Sequence, residues 1–398
     1  MATTDFTPPH VYEQPFPAFD INAIETPAYV VDVALLRRNM EKLAQVQSES
    51  GARVLLALKG FSMFSVFPIM REYLSGCCAS GLNEALLAQE FGKEVHVYSP
   101  AFKEHEMREI IPISHHLSFN SLAQFRKFKP MLDAAKAATG HAPSPGIRVN
   151  PEHSEVEVSL YDPCSPGCRL GIRADQLEGQ DLTGIEGLHF HALCEQDSDV
   201  LERTVAAVEK RFPRLLEQVQ WVNMGGGHHI TRQEYDVERL IHVLRTFRTK
   251  WGKDVYIEPG EAAGLNTGYL IAEVQDIIEA PIPTAILDVS ATAHMPDALE
   301  MPYRPHIFGA GLPGAHPHEY KMGGTSCLAG DVLENYSFPE PLRIGQRLVF
   351  ADMAHYTMVK TTTFNGVPHP DIGIYDPATK EYRVVRRFGY ADFRNKLS

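Results

Sequence analysis

Four short stretches of this chain carry residues whose types and spacing could do chemistry. Lys59 follows the apolar run Leu55 to Leu58 and precedes Gly60. An ammonium at the end of a buried strand is desolvated, which lowers its pKa and favours a nucleophilic amine. A lysine in the same place can equally run its stem out to the surface. His189 and His191 flank Phe190, so strand alternation puts both imidazoles on one side. Such a pair can ligate zinc or pack flat on a planar cofactor. Gly225, Gly226 and Gly227 form a run without side chains, whose successive N–H groups can converge on an anion. Glu258 and Glu261 bracket a Pro-Gly pair, and a carboxylate there can serve as a base, a metal ligand or the partner of a protonated ring nitrogen.

These stretches need elements to hold them. Runs rich in Val, Ile, Leu and Phe fall at Arg53 to Leu58, Gly76 to Ala79, Val95 to Ser99, Leu117 to Asn120, Gly146 to Val149, Gly187 to His191, Trp221 to Met224 and Val255 to Glu258. Helical periodicity separates them; Leu201, Val205, Val208, Phe212 and Leu215 share one face, as do Leu240, Val243, Leu244, Phe247 and Trp251. Eight alternations of strand and helix predict a (β/α)8 barrel of the TIM type, with an open doubly wound sheet as the rival. A barrel gathers its chemistry at the C-terminal ends of its strands, where Lys59, the two histidines, the glycine run and Glu258 all fall. Loops after the seventh and eighth strands are the usual phosphate site of such barrels, and the glycine run follows the seventh. The other strand ends offer Ser99, Asn120 and Asn150, a poor set for zinc. An amine, an imidazole, a phosphate cradle and a carboxylate are the parts needed to hold pyridoxal phosphate.

Beyond Gly264 the pattern changes to strand-like runs at Ile271 to Glu279, Ala285 to Val289, Arg347 to Ala351 and Tyr382 to Arg387, with Pro and Gly crowding the connections. The predicted organisation is an N-terminal segment 1–31 joining the β domain, a barrel over 32–263 and a C-terminal mostly-β domain over 264–398. The class is therefore α/β, with Ala28 to Val31 read as a strand of the second domain.

Composition agrees with a globular protein. The 398 residues are 44% hydrophobic and carry a net charge of −13, which opposes non-specific nucleic-acid binding and favours cationic ligands. No stretch reads as a membrane span, and the first residues lack the basic-then-apolar pattern of a secretory signal. A cytoplasmic protein is the expectation. The six cysteines show no paired zinc spacing, and Cys164 with Cys168 lack a second pair to complete four ligands. No metal is expected.

The motifs TPAYVVD, LALKGFS, HFHALCE, NMGGG, EPGE, HMPD with YRP, GGTSCLAGD and ADMAHYT occur in order between about Thr26 and Asp376. On them the chain resembles the barrel-type pyridoxal-phosphate decarboxylases, the group that includes alanine racemase, ornithine decarboxylase and diaminopimelate decarboxylase. Within that group it is most similar to the carboxynorspermidine and carboxyspermidine decarboxylases. The resemblance implies that Lys59 is the Schiff-base lysine, His191 the histidine stacked on the cofactor ring, Gly225 to Gly227 the phosphate loop and Glu258 the carboxylate on the pyridine nitrogen. It further implies that Cys327 enters the neighbouring subunit's site and protonates the carbanion after CO2 leaves. Tyr356 resembles the tyrosine that the second domain places near the cofactor. A homodimer with shared active sites follows from the same likeness, with a small cationic carboxylated triamine as substrate and no membrane or nucleic-acid partner.

One position departs from the wider group. Ornithine and diaminopimelate decarboxylases typically read EPGR, whereas residue 261 here is glutamate. A carboxylate beside a phosphate is costly unless it turns toward a cation, and a polyamine nitrogen is such a partner. Asp297, in HMPD, is a second acid for the same purpose, with Arg304 a candidate for a carboxylate contact. The EPGE sequence argues against diaminopimelate decarboxylation, and no catalytic tyrosine pair for a racemase is identifiable. A non-catalytic pyridoxal-phosphate carrier would end near residue 265, before Cys327 and Tyr356. No role follows from the sequence for His228 and His229.

Overall fold

The structure, a computed structural model, describes residues 13–156, 158–300 and 303–398. The first twelve residues of the expected N-terminal segment therefore lie outside the described residues. Two compact units are present. One is Asn39–Ala263; the other combines the chain up to Arg38 with Gly264–Ser398.

The first unit is a closed barrel of parallel strands: β2 (Arg53–Ala57), β3 (Gly76–Ala79), β4 (Glu94–Tyr98), β5 (His116–Phe119), β6 (Ser144–Arg148), β7 (Gly187–His189), β8 (Trp221–Asn223) and β9 (Asp254–Ile257). β2 pairs with β9 to close it, Arg53 opposite Tyr256. Each strand coincides with one of the eight apolar runs to within two residues, because strands covered on both sides need no polar alternation. The rival open sheet is thereby excluded.

The helices are set by local chemistry. Ser121 caps Leu122–Thr139 by accepting the Gln124 N–H, and Asp236 caps Val237–Trp251 by accepting the Arg239 N–H. The predicted single face from Leu201 to Leu215 is split. Ser198–Arg211 ends, Phe212 takes φ −121°, and Pro213 opens a new helix, Pro213–Gln218. Proline supplies no N–H and clashes with the preceding turn, so it is accommodated at a first helical position rather than mid-helix.

The second unit is a mixed eight-stranded sheet. It runs β13 (Val332–Phe338), β12 (His318–Gly323), β11 (Thr284–Leu287), β10 (Gly268–Ile278), β1 (Ala28–Asp32), β15 (Asp371–Asp376), β16 (Glu381–Arg386), with β14 (Arg347–Ala351) also paired to β10. The N-terminal strand β1 lies between β10, antiparallel, and β15, parallel. All five of its residues are buried. Tyr29, Leu270, Leu287, Met295, Tyr336 and Phe350 share this unit's larger apolar core. Among the described residues, no helix is long and apolar enough to cross a membrane.

Candidate active site

The barrel strands deliver their side chains to one mouth, at the C-terminal ends. Lys59 stands in the turn after β2 and is exposed. The turn is fixed by its backbone, with Leu58 N–H donating to Cys78 O and Gly60 N–H to Ala57 O. The Lys59 charge acts on its neighbours: it opposes protonation of His191 and His189 and favours ionisation of Glu258.

Glu258 follows β9 and is almost enclosed. Burial alone would raise its carboxyl, but His189, the hydrogen bond from Asn223 and the nearby His96 and Lys59 outweigh it and hold the group below its ordinary value. Asn223 Nδ2 donates to Glu258 Oε1 at 2.5 Å, and His189 Nε2 lies 3.7 Å from Oε2. His189 itself is pushed down to about 4, chiefly by burial, so it faces Glu258 as a neutral ring at neutral pH.

His191 lies just beyond β7, half-buried. Its Nδ1 accepts the Gly226 N–H at 2.9 Å, which puts the proton of the neutral ring on Nε2. Burial, then Lys59 and Arg148, drive its pKa well below the usual imidazole value. Arg148, at the end of β6, lies over the Tyr98 ring and donates to His191 O at 3.2 Å. An uncharged ring with a fixed edge can stack on a planar group.

The glycine run is required by its surroundings. A Cβ at Gly225 would lie 2.5 Å from Phe190 O, at Gly226 2.1 Å from Glu258 O, and at Gly227 1.9 Å from Leu193 O. Gly225 and Gly227 also have φ of +71° and +87°. The expectation that successive N–H groups all converge on an anion needs correction. Gly225 N–H donates to Asn223 Oδ1 and Gly226 N–H to His191 Nδ1, so two of the three donors are committed within the protein.

Glu261 begins the short helix after β9, and its cation is internal. His229 Nε2 lies 3.1 Å from Glu261 Oε2 and is itself buried. His229, for which the sequence offers no role, thus stands at ion-pair distance from the carboxylate for which a substrate amine is expected.

Cys164 and Cys168 lie in the loop bordering a polar cavity of about 970 Å³ by the ends of β5 and β6, lined also by Asn120, Asn150 and Asp162. Burial and Asp162 push the Cys164 thiol up to about 12, which keeps it protonated. At the opposite end of the barrel, donor atoms of Glu94, His96 and His116 converge. They already serve one another: His96 Nε2 is 3.1 Å from Glu94 Oε2 and 2.7 Å from His116 Nδ1, and Arg53 takes the other Glu94 oxygen at 3.3 Å.

The remaining sequence-derived residues belong to the other unit. Cys327 is exposed in the loop before β13, its N–H donating to Asn365 Oδ1 at 2.8 Å. Asp331 shapes that loop by accepting from Ser326 N–H and Thr292 N–H at 3.1 and 3.0 Å. Tyr356 opens the short helix Tyr356–Val359. Asp297 is 7% exposed; its Oδ2 accepts Tyr303 OH and Thr357 Oγ1, while its Oδ1 has no partner among the described residues. Arg304, expected as a carboxylate contact, has the Glu334 carboxylate 3.9 Å from its Nη1. Its guanidinium donates to the carbonyls of Asn335 and Gly311 and stacks on Tyr336, so its donors hold the main chain.

Asn223 and Arg148 are the residues that the sequence reading missed. Asn223 stands in NMGGG two residues before the glycines, and Arg148 lies within the run Gly146 to Val149, yet neither type announces chemistry alone.

Comparison with known proteins gives this geometry a context. The chain is 47% identical to the carboxynorspermidine/carboxyspermidine decarboxylase of Campylobacter jejuni, over 93% of this chain and 98% of that protein. It is 46% identical to the carboxyaminopropylagmatine decarboxylase of Synechocystis, over 95% and 96%. The crystal structure of carboxynorspermidine decarboxylase from Campylobacter jejuni, complexed with norspermidine, superposes with a TM-score of 0.86 at 46% identity, covering 94% of this chain and all of that one. The family described as "Pyridoxal-dependent decarboxylase, C-terminal sheet domain" matches residues 28–354. With that match spanning most of the sheet unit as well as the whole barrel, the chain belongs to the pyridoxal-dependent decarboxylases.

Proposed function

We propose that the barrel mouth binds pyridoxal 5′-phosphate through Lys59 and that the protein decarboxylates carboxynorspermidine and carboxyspermidine, releasing norspermidine and spermidine. One observation carries the cofactor assignment: an ionised, hydrogen-bonded Glu258 and a neutral, edge-fixed His191 share a mouth with the Lys59 amine. The residues fit the group, since an ionised Glu258 suits a protonated ring nitrogen and a neutral His191 suits a ring face. Pyridoxal phosphate supplies an electron sink for the pair left behind when the bond to the carboxylate breaks.

The chain's own residues do the rest. Lys59 offers the amine that would hold the cofactor. Glu258, kept charged by Asn223, keeps a proton on the pyridine nitrogen and so preserves the sink. His191 packs one ring face without adding charge. Cys327, contributed by the partner subunit of a homodimer, returns a proton to the carbon that lost CO2, with Tyr356 beside the cofactor. Asp297 anchors through one oxygen and leaves the other for a substrate ammonium, which suits a chain of net charge −13.

A second reading is carboxyaminopropylagmatine as substrate, favoured by the Synechocystis relative, whose identity is nearly the same. CO2 release from carboxynorspermidine, carboxyspermidine and carboxyaminopropylagmatine, beside diaminopimelate and ornithine, separates the readings. Turnover of the two carboxylated triamines at the highest kcat/KM, abolished in Lys59→Ala, is the expected result. Preference for the agmatine derivative would install the second reading, and preference for diaminopimelate would overturn both.

A further inference from the structure

Three links join the turn after β8 to the chain after β9. Glu258 N–H donates to Gly225 O at 2.7 Å. Thr231 Oγ1 donates to Ala262 O at 2.6 Å. Between them His229 Nε2 meets Glu261 Oε2 at 3.1 Å, with the histidine 4% exposed. Lys42 Nζ also donates to Thr231 O and Arg232 O, both at 3.1 Å, tying the turn to the helix Val33–Ser50.

The charges around His229 favour an imidazolium ion. Burial would strip its proton, and Arg232 opposes it. Glu261, by charge and hydrogen bond, and then Glu195 prevail, so its pKa lies above the ordinary imidazole value. The adjacent His228 is pushed down to about 4, mainly by burial, and adds no charge near pH 7. Removing Glu261 leaves a histidine that burial drives toward the neutral form, and removing His229 leaves the carboxylate without this partner, so each loss breaks the link between the two loops.

We infer that His229 and Glu261 form a positioning pair that fastens the Gly225–Gly227 turn to the strand end bearing Glu258, fixing the spacing between the phosphate cradle and the carboxylate for the ring nitrogen. This rests on the proposal that the mouth binds pyridoxal phosphate. The pair makes Glu261 a determinant of cofactor retention rather than of substrate recognition. Its neutralised charge also leaves no bare carboxylate beside a phosphate.

The test is cofactor release from the holoenzyme after dilution, together with the 31P resonance of the bound phosphate, in wild type, Glu261→Gln, His229→Gln and the double variant. A loosened cradle should release pyridoxal phosphate roughly tenfold to a hundredfold faster in each single variant. The double variant should be no worse than the worse single one, because the two act as a unit. The 31P resonance should shift, while KM for the triamines measured at saturating cofactor stays at the wild-type value. With Glu261 ionised, a raised folded-state pKa makes the pair's contribution complete below the ordinary imidazole value and lost as pH rises through the folded-state one. Wild-type release should therefore quicken on that rise, and Glu261→Gln should lack the step.

Should a single variant fail to fold, the reversed pair His229→Glu with Glu261→His carries the test, since restored opposite charges should restore retention. Wild-type release and 31P signal in Glu261→Gln, with a raised KM, would overturn the inference and assign Glu261 to the substrate. A wild-type protein that takes up no pyridoxal phosphate would instead overturn the reading beneath it.

Discussion

Asn223 is the hydrogen-bond donor that helps to hold the Glu258 carboxylate charged. Its amide reaches two ways: Nδ2 to Glu258 Oε1 at 2.5 Å and Oδ1 to the Gly225 N–H at 2.9 Å. Asn223→Ala removes a hydrogen bond to a charged group, worth about 1.5 to 3 kcal/mol. At about 1.36 kcal/mol per tenfold in rate, kcat/KM for decarboxylation should fall roughly ten- to 150-fold. Asn223→Asp is the sharper perturbation, because shape is kept while the donor becomes a second carboxylate. Two carboxylates at such a separation share a proton, so the Glu258 carboxyl moves from below its ordinary value to above it. The sign then follows. Wild-type Glu258 is ionised down to acidic pH, and the variant becomes ionised only at higher pH, so the acid limb of kcat/KM should shift upward. The assay is CO2 release against pH at saturating pyridoxal phosphate, with the visible absorbance of bound cofactor recorded to prove loading. A loaded Asn223→Ala within threefold of wild type, or an unmoved acid limb in Asn223→Asp, would refute the reasoning.

Two further outcomes concern the second unit. If Cys327 acts in the partner subunit's site, mixing inactive Lys59→Ala and Cys327→Ala proteins should restore part of the activity, since one hybrid site receives both intact residues. Equal inactivity after verified subunit exchange would mean that each site is built from one chain. Asp297→Asn keeps the shape around Tyr303 and Thr357 but removes the charge, so kcat/KM for the triamines should drop roughly ten- to a hundredfold, mostly through KM, with cofactor absorbance unchanged. Loss of cofactor, or an equal loss on a substrate lacking the distal amine, would count against an amine contact.

The barrel was legible because its strands are covered on both faces and read as continuous apolar runs; Gly76–Ala79 falls where the sequence puts it to the residue. The sheet unit was only half legible. His318–Gly323 and Val332–Phe338 carry Lys321, Glu334 and Asn335 within them, since part of each strand is open to solvent, and neither presents an apolar run. Lys59, His191 and Glu258 could be found because they follow strands in one chain segment each. Asn223 could not, because its role depends on the parallel pairing of β8 with β9, which sets Asn223 opposite Tyr256 and brings Glu258 within reach. The same limit applied to Glu261. Its need for a cation was plain from charge alone, but choosing between a substrate amine and His229 required the path of the chain after the glycine run.

The mouth separates its charges by burial as much as by residue type. His189 and His191 flank Phe190 in sequence, and the low-dielectric interior strips protons from both, with the Lys59 and Arg148 charges reinforcing the effect. Glu258 meets the same burial and keeps its charge, because His189, the Asn223 donor, His96 and Lys59 together outweigh it. The outcome is one retained anion among neutral rings, with the lysine amine opening to solvent. A protonated His191 beside Lys59 and Arg148 would place three cations around one ring. If pyridoxal phosphate binds as proposed, a neutral Glu258 would leave its pyridine nitrogen without the anion that favours the proton. Under that proposal each failure removes a different requirement of an electron sink, an uncharged packed face in the first case and a protonated nitrogen in the second, so the pKa shifts in this barrel are opposite in their effect on charge and would be joint in their effect on the reaction.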